Sequence, residues 1–520
     1  MRRSELNWAL GYSVALAAVT SLPYLLAARN QGADWRFTGF LFGVEDGNSY
    51  IAKMLGGFQG AWLFRTPYST VDQRGVLAFL PYLLLGKLAG SSHEKMVLAY
   101  HVFRLTALPL LVVAIYRFVS RFTDQIAWRR WATVLATAGG GLGWVVLLAG
   151  EPNWLGGLPL DFYSPETFGF LAVYGLPHLA LGRAVLLAAL ASYLHSTRGW
   201  TAGILLLFAG LIHPPIVLSG LAAITAHQVA ALGFASAGSQ RADGLRHYGR
   251  TVLPVFPLLG YLGASYARDP FLQIWAEQNV ILSPHPLHYL LAFGAVLPLA
   301  IAGAIRLLKQ REVALLFPVA WAITLPLLAY APVNIQRRLP EAGWVALLAL
   351  GAAGAQLLPG RWQVILRVGL TALLLPSTLV ILIAGIQTAS RPEPPAFRPT
   401  AEVAAFNWLR DEAIAGELAL AAYQTSNALP AWAPVRVVAG HGPETTGLAE
   451  LLPQVEGFFK VEASDEDRQE LVLAQQVDFL FYGPAERALG GWEPASWDCL
   501  RSLYDAAGYA IYSTCFRTDG

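Results

Sequence analysis

The sequence predicts a polytopic α-helical membrane protein with 10–12 transmembrane helices and a small C-terminal α/β domain. Three observations predict it. Of 520 residues, 55% are hydrophobic and only 13% charged, with a mean hydropathy of +0.47, whereas soluble globular proteins carry about 25% charged residues. Apolar segments recur at roughly 8–28, 76–89, 97–119, 132–149, 177–195, 201–233, 252–267, 287–308, 313–331, 341–358 and 363–387. Charge then changes sign along the chain. Residues 398–520 hold 8 Lys+Arg against 18 Asp+Glu, a net of −10, and residues 1–397 hold 28 against 16, a net of +12. A basic membrane body followed by an acidic water-soluble domain gives no case for nucleic-acid binding.

The N-terminus, MRRSELNWALGYSVALAAVTSLPYLLAA, has a basic start and an apolar run of about 20 residues, enough to span a bilayer. No small-residue cleavage site follows, so it reads as an uncleaved signal anchor with its end in the cytoplasm. The long loop 29–75 comes next, and loops beyond about 15 residues are usually functional or disordered. This one is rich in aromatic residues, among them Trp35, Phe40, Tyr50, Trp62 and Tyr68, which argues for order. IAKMLGGFQGAWLF reads as an amphipathic helix on the membrane surface. Just before it, GFLFGVEDGNSYIAKM (39–54) places Glu45 and Asp46 side by side. A carboxylate at a water–lipid boundary can serve as a general base with a raised pKa, or the pair can hold a divalent cation, Mg2+ or Mn2+. The plain alternative is a solvated acidic turn, which Asp-Gly favours by itself.

Lys and Arg concentrate in cytoplasmic loops. The arginine-bearing links 117–130, 196–200, 239–250, 306–312 and 359–362 therefore belong inside, and loops 29–75, 150–176, 268–286 and 332–341 outside with the C-terminal domain. Residues 201–233 must cross twice, which suits a break at His213-Pro214-Pro215. The 14-residue run 76–89 is short for a span and suits a re-entrant or interfacial segment. The domains are then 1–390, a transmembrane body; 391–400, a Pro-rich linker; and 401–520, a soluble domain. In the last, AEVAAFNWLRDEA and DEDRQELVLAQQ read as helices and ELALAAY, VRVVAG, VDFLFYG and YAIYSTC as strands, an α/β alternation. No Gly-rich phosphate loop follows any of these strands. Cys499 and Cys515 read as free thiols by default, or as a disulfide if the domain faces an oxidising compartment.

Other polar groups fall on the exported side. Arg337 and Arg338 in NIQRRLPE run against the charge bias, and a phosphate or pyrophosphate head group would explain them, since guanidinium binds phosphate bidentately. Pairing with Glu341 or anionic lipid is the alternative. His178 and His213 each adjoin a proline near the outer end of a helix, where exposed backbone must line protein or a cavity; either can equally be a structural hydrogen-bonding group. Asp161, Tyr163, Glu166, Arg65 and Arg74 are further candidates. In GHGPETTG (440–447), His441 and Glu444 could bind sugar or acceptor, although capping of the next helix by Thr445 and Thr446 is the favoured reading.

An acidic pair before Gly47 with Tyr50 close by, in a long exported loop after the first helix, resembles the layout of the GT-C superfamily of membrane glycosyltransferases. These include oligosaccharyltransferases, protein O-mannosyltransferases and aminoarabinose transferases. The resemblance implies a multi-pass plasma-membrane enzyme of the cell envelope that takes a sugar from a polyprenyl-phosphate-linked donor. It would pass it, with inversion, to a glycan, lipid or protein acceptor at the outer face. It implies Asp46 as base or metal ligand with Glu45 its partner, and Arg337, Arg338, His178 and His213 as substrate-binding residues. The competing readings are a transporter or lipid flippase, a polysaccharide polymerase or ligase, and a membrane acyltransferase using His178 or His213. A transporter would show ionisable residues at mid-membrane or an internal repeat, and neither is visible in the sequence.

Overall fold

The computed structural model describes residues 1–195, 199–234 and 238–517. The expected cytoplasmic link 196–200 lies partly outside the described residues. The chain divides into two compact units. One gathers Met1–Leu22, Val102–Tyr261 and Val280–Ala384; the other gathers Pro23–His101, Leu262–Asn279 and Gly385–Gly520.

The N-terminal helices are α1 (Arg3–Asn30), α2 (Val44–Phe58), α3 (Leu80–Ala89) and α4 (His93–Val119). Among the described residues, five helical stretches are long and apolar enough to cross a membrane: α1, α4, Pro177–His195, Pro215–Phe234 and Gly360–Ser390. The pair Pro286–Phe293 and Leu297–Gln310, bent by 80°, makes a sixth if counted as one broken span. With this composition, the chain is a multi-pass membrane protein. Other apolar segments form shorter helices, because proline and glycine interrupt them. The segment 201–233 breaks at His213-Pro214 into Trp200–Ile212 and Pro215–Phe234. The segment 132–149 breaks at Gly139–Gly141, so a helix ends at Ala138 and a short one resumes at Gly143.

The first unit is built on a helical core that includes Trp128, Leu135, Phe168, Trp321 and Trp344. Several polar groups inside it find partners in the same unit. The Trp344 indole N–H donates to the Leu135 carbonyl at 3.0 Å. The Thr133 and Thr137 hydroxyls donate to carbonyls one turn back, at 2.8 and 2.9 Å.

The second unit contains a five-stranded mixed sheet in the order β4-β3-β5-β7-β6. Its strands are β3 (Leu418–Leu420), β4 (Arg436–Val437), β5 (Phe479–Tyr482), β6 (Leu500–Ala506) and β7 (Tyr509–Thr514), while β1 (Trp35–Phe37) and β2 (Phe397–Pro399) pair separately. Strands β4 and β5 run parallel to β3, and β7 runs antiparallel to both β5 and β6. The four strands expected from the sequence correspond to β3, β4, β5 and β7. Strand β6 was not expected: it has no fully buried residue, so as an edge strand it carries no clear alternation of apolar and polar residues. Its hairpin with β7 aligns Leu500 with Thr514, which sets the flanking Cys499 and Cys515 opposite each other. They form a disulfide, correcting the default reading of free thiols.

Helix α2 departs from expectation in two ways. It begins at Val44, so the acidic pair occupies its first turn instead of a preceding loop. Gly43 enables this by adopting a left-handed φ of 56°, and two carboxylates suit the positive end of the helix dipole. Nor is α2 a surface helix. Tyr50, Ile51, Met54 and Leu55 are buried, and α2 packs against α3 closely enough that a Cβ on Gly86 would lie 1.7 Å from the Met54 carbonyl oxygen.

Candidate active site

The acidic pair meets the turn 440–446 of the C-terminal domain within the second unit, and its two carboxylates are held differently. One Glu45 oxygen accepts hydrogen bonds from the Tyr423 hydroxyl at 2.5 Å and the Gly442 N–H at 2.6 Å. Asp46 has a different partner. Its Oδ1 lies 3.3 Å from His441 Nε2, and its side chain remains 54% exposed. Asp46 is therefore a reachable carboxylate at the rim of a dense site, and Glu45 is an anchored one.

Beneath them lies a buried ion pair. Lys53, two turns along α2 from Asp46, places Nζ 2.6 Å from Glu444 Oε1 with both side chains almost completely buried. Glu444 also accepts from the Ser49 hydroxyl at 2.7 Å and the Thr66 hydroxyl at 2.5 Å. Lys53 hydrogen-bonds Ser49 as well, and its ammonium lies 4.4 and 5.0 Å from the ring centroids of Phe79 and Phe64. Such satisfaction is what a buried charge requires. Higher on the same face, Asn48 donates to Asn427, which donates to the Gly440 carbonyl, each at 2.8 Å. The turn itself is closed by Thr445, whose hydroxyl accepts from the N–H groups of Gly440 and His441. Thr446 bonds Ser69 at 2.7 Å. The helix that follows begins after Gly447 and has no side-chain cap, so the two threonines do not cap it.

The electrostatics follow from this packing. Partial desolvation at the rim opposes ionisation of Asp46, but the hydrogen bond and charge of His441, aided by Lys53, hold its pKa below the ordinary carboxylate value. This corrects the expectation of a raised value. Burial lowers the pKa of His441, yet Glu444 and Asp46 outweigh it and the net shift is upward. Burial raises that of Glu444, but Lys53, His441 and the Thr66 hydroxyl bring it down to about 2. Asp46 and Glu444 are thus carboxylates across the neutral range.

The donor set does not build a metal centre. Glu45 already spends one oxygen on two donors, and among the described residues no group of three or more His, Cys, Asp or Glu side chains is arranged to hold a cation.

Most of the other expected residues belong to the first unit. Arg337 and Arg338 flank Glu166, at 3.9 and 3.7 Å. The Arg337 guanidinium lies 4.7 Å from the Tyr163 ring centroid, and its Nη1 is buried without a hydrogen-bond partner among the described residues. Glu341 pairs with Arg183 instead of with either arginine. His178 and His213 come together, with ring centroids 5.6 Å apart, and His213 Nε2 has no hydrogen-bond partner among the described residues. Asp161 accepts from Ser377 and from the Gly141 N–H in the glycine break, which is a structural lock. In the second unit, Arg65 donates to the carbonyls of Gln73 and Arg74, and the backbone N–H of Arg74 donates to Asp269.

Sequence reasoning did not single out Lys53, Ser49 or Tyr423. One signal was present: Asp46, Ser49 and Lys53 recur at helical spacing, and Lys53 is the one charge in IAKMLGG.

No protein-family model matches the chain, and no curated protein matches it in sequence. Solved structures do match in fold. The archaeal oligosaccharyltransferase AglB from Archaeoglobus fulgidus, in complex with an inhibitory peptide and a dolichol-phosphate, superposes with a TM-score of 0.55 at 14% identity, covering 98% of this chain and 74% of that one. The Archaeoglobus fulgidus oligosaccharyltransferase in complex with Zn and sulfate gives 0.53 at 12% identity, covering 96% and 73%. ArnT from Cupriavidus metallidurans in the apo state gives 0.51 at 13% identity, covering 98% and 100%. The chain therefore has the fold of these proteins, the GT-C architecture expected from its sequence.

Proposed function

We propose that this GT-C-fold chain is a membrane glycosyltransferase that moves a sugar from a polyprenyl-phosphate-linked donor to an acceptor hydroxyl or amine. One observation carries the reading: within that fold, a half-exposed carboxylate, Asp46, stands at the first turn of a buried helix, against His441 and above the buried Lys53–Glu444 pair. The dolichol-phosphate bound by AglB supports the donor class, and the acceptor peptide tethered to the Archaeoglobus fulgidus oligosaccharyltransferase supports a separate acceptor.

The step is one displacement. The acceptor heteroatom attacks the anomeric carbon, the carbon–oxygen bond to phosphate breaks, and the electron pair leaves on the phosphate oxygen. Asp46 takes the acceptor's proton. Its depressed pKa makes it a carboxylate at any physiological pH, ready to accept that proton as the attacking atom becomes acidic. A single displacement inverts the anomeric centre. Arg337 and Arg338 are assigned to the phosphate of the donor, a role that fits a guanidinium with an unsatisfied buried N–H. His178 and His213 are assigned to substrate lining in the same unit. The Cys499–Cys515 disulfide supports an oxidising, extracytoplasmic location for the C-terminal domain.

The test uses the full chain in detergent with a panel of polyprenyl-phosphate-linked sugars and a cell-envelope extract as acceptor source. Polyprenyl phosphate should be released in step with labelled sugar entering the acceptor. Arg337→Ala and Arg338→Ala should each raise the KM for donor about 10-fold or more, the loss of a charge-assisted hydrogen bond. Donor transport without cleavage would overturn the enzymatic reading, and an unchanged donor KM in both variants would remove the arginines from it.

A further inference from the structure

The polar residues of α2 form one stripe. Glu45, Asn48, Ser49 and Lys53 lie on a common face at helical spacing, and each bonds a residue of the segment 423–444: Tyr423 and Gly442, Asn427, and Glu444. Asp46 stands beside the stripe, against His441. The deepest contact is the Lys53–Glu444 pair, which is buried, saturated with hydrogen bonds and out of reach of a ligand at the rim. Its cost in desolvation is large, and an apolar contact would hold a helix against a turn as well. What an apolar contact would not give is orientation. Glu444 is three residues from His441, and its N–H donates to the His441 carbonyl at 3.1 Å. Fixing the Glu444 side chain at three points therefore fixes the turn that aims His441 Nε2 at Asp46.

We propose that Lys53 and Glu444 are positioning residues, with Glu45 as a second anchor, and that together they seat the C-terminal turn on α2 so that His441 orients the Asp46 carboxylate. Glu45 is thereby an anchor for Tyr423 and Gly442 and not a second base. The proposal rests on the reading of Asp46 as the reacting carboxylate. It ties the C-terminal domain to turnover directly: the acidic motif is legible in the first loop, but its orientation comes from residues almost 400 positions later.

The test separates positioning from folding. Lys53→Met and Glu444→Gln each leave a partner unpaired in the interior and should lower the thermal midpoint. The double variant Lys53→Met, Glu444→Met replaces the pair by apolar groups of similar volume, which is often neutral for stability. Its midpoint should return to the wild-type value. Release of polyprenyl phosphate from the donor that the wild-type chain turns over should nevertheless remain about 10- to 100-fold slower in kcat, the effect of a misplaced catalytic group, while the donor KM is retained. Hydrogen exchange of the peptide covering 440–446 should rise in the double variant. Glu45→Ala should fall further in kcat than Glu45→Gln, because the amide oxygen can still accept from Tyr423 and Gly442.

A double variant with wild-type midpoint, wild-type kcat and unchanged exchange at 440–446 overturns the proposal. So does Glu45→Gln as slow as Asp46→Asn, since that would make the Glu45 charge itself catalytic. If Asp46→Asn turns over as fast as the wild type, the reading of Asp46 fails. That outcome is distinguished by the exchange measurement, which reports the seating of the turn without reference to activity.

Discussion

Substituting alanine for Gly86 tests how tightly α2 is located. A Cβ at Gly86 would sit 1.7 Å from the Met54 carbonyl oxygen and 2.7 Å from the Met54 Cα. The approach is mutual, because a Cβ at Gly57 would sit 2.1 Å from the Leu83 carbonyl oxygen. Both obstacles are backbone atoms, so no side chain can rotate away. Restoring an ordinary contact of about 3.2 Å would require α2 and α3 to separate by roughly 1.5 Å, and overpacking of this kind costs about 1–3 kcal/mol. Because α2 carries Asp46 and Lys53, a displacement on the order of 1 Å should also cost about 100-fold in turnover. The assay is paired: the thermal midpoint of the detergent-solubilised chain and its single-turnover release of polyprenyl phosphate. Gly86→Ala should lower both, and Gly57→Ala should do the same. A Gly86→Ala chain with wild-type midpoint and rate would refute the close packing of α2 on α3 and the positional argument built on it.

Two further outcomes follow from the second unit. Glu444 is held at about 2 instead of 4.5, so its contribution is complete above pH 4.5 and is lost as pH falls toward 2. The loss is about 3 kcal/mol as an upper bound; an acid titration of the thermal midpoint should show it in the wild type and not in Glu444→Gln. His441 shifts the opposite way, so what it contributes is full below its unfolded value and fades as pH rises past its raised one. The Cys499–Cys515 bond closes the β6–β7 hairpin across a sequence separation of 16. A loop of that size predicts about 3 kcal/mol, so Cys499→Ser with Cys515→Ser should lower the midpoint, and reducing agent should lower that of the wild type equally. An unchanged midpoint in both would contradict it.

The parts of the molecule legible in the sequence are those with a local signal. Composition and long apolar runs reveal the membrane body, and the change of charge after the proline cluster marks a different kind of domain. Glu45-Asp46 stands out because adjacent carboxylates are rare in so apolar a chain, and His213-Pro214-Pro215 because proline ends a helix. What was not legible depends on distant partners. Nothing local in IAKMLGG says that Lys53 is buried, because the carboxylate that permits it lies 391 residues away. Helix α2 was read as a surface helix for the same reason: its polar stripe has the look of a solvated face until the segment 423–446 covers it. GHGPETTG was recognised as unusual, but its purpose follows only from Asp46 opposite His441. Strand β6 is an edge strand without alternation, and the pairing of Cys499 with Cys515 depends on it.

The most direct measurement is single-turnover cleavage of a polyprenyl-phosphate-linked sugar by Asp46→Asn, with donor binding measured on the same preparation. Asparagine keeps the size of the side chain and a partner for His441 but cannot take the acceptor's proton. Donor affinity should be retained, and the rate of polyprenyl phosphate release should fall about 100- to 10,000-fold, the usual contribution of a positioned base. Release within a few-fold of the wild-type rate would contradict the account, because the neighbouring carboxylate, Glu45, is held by Tyr423 and Gly442.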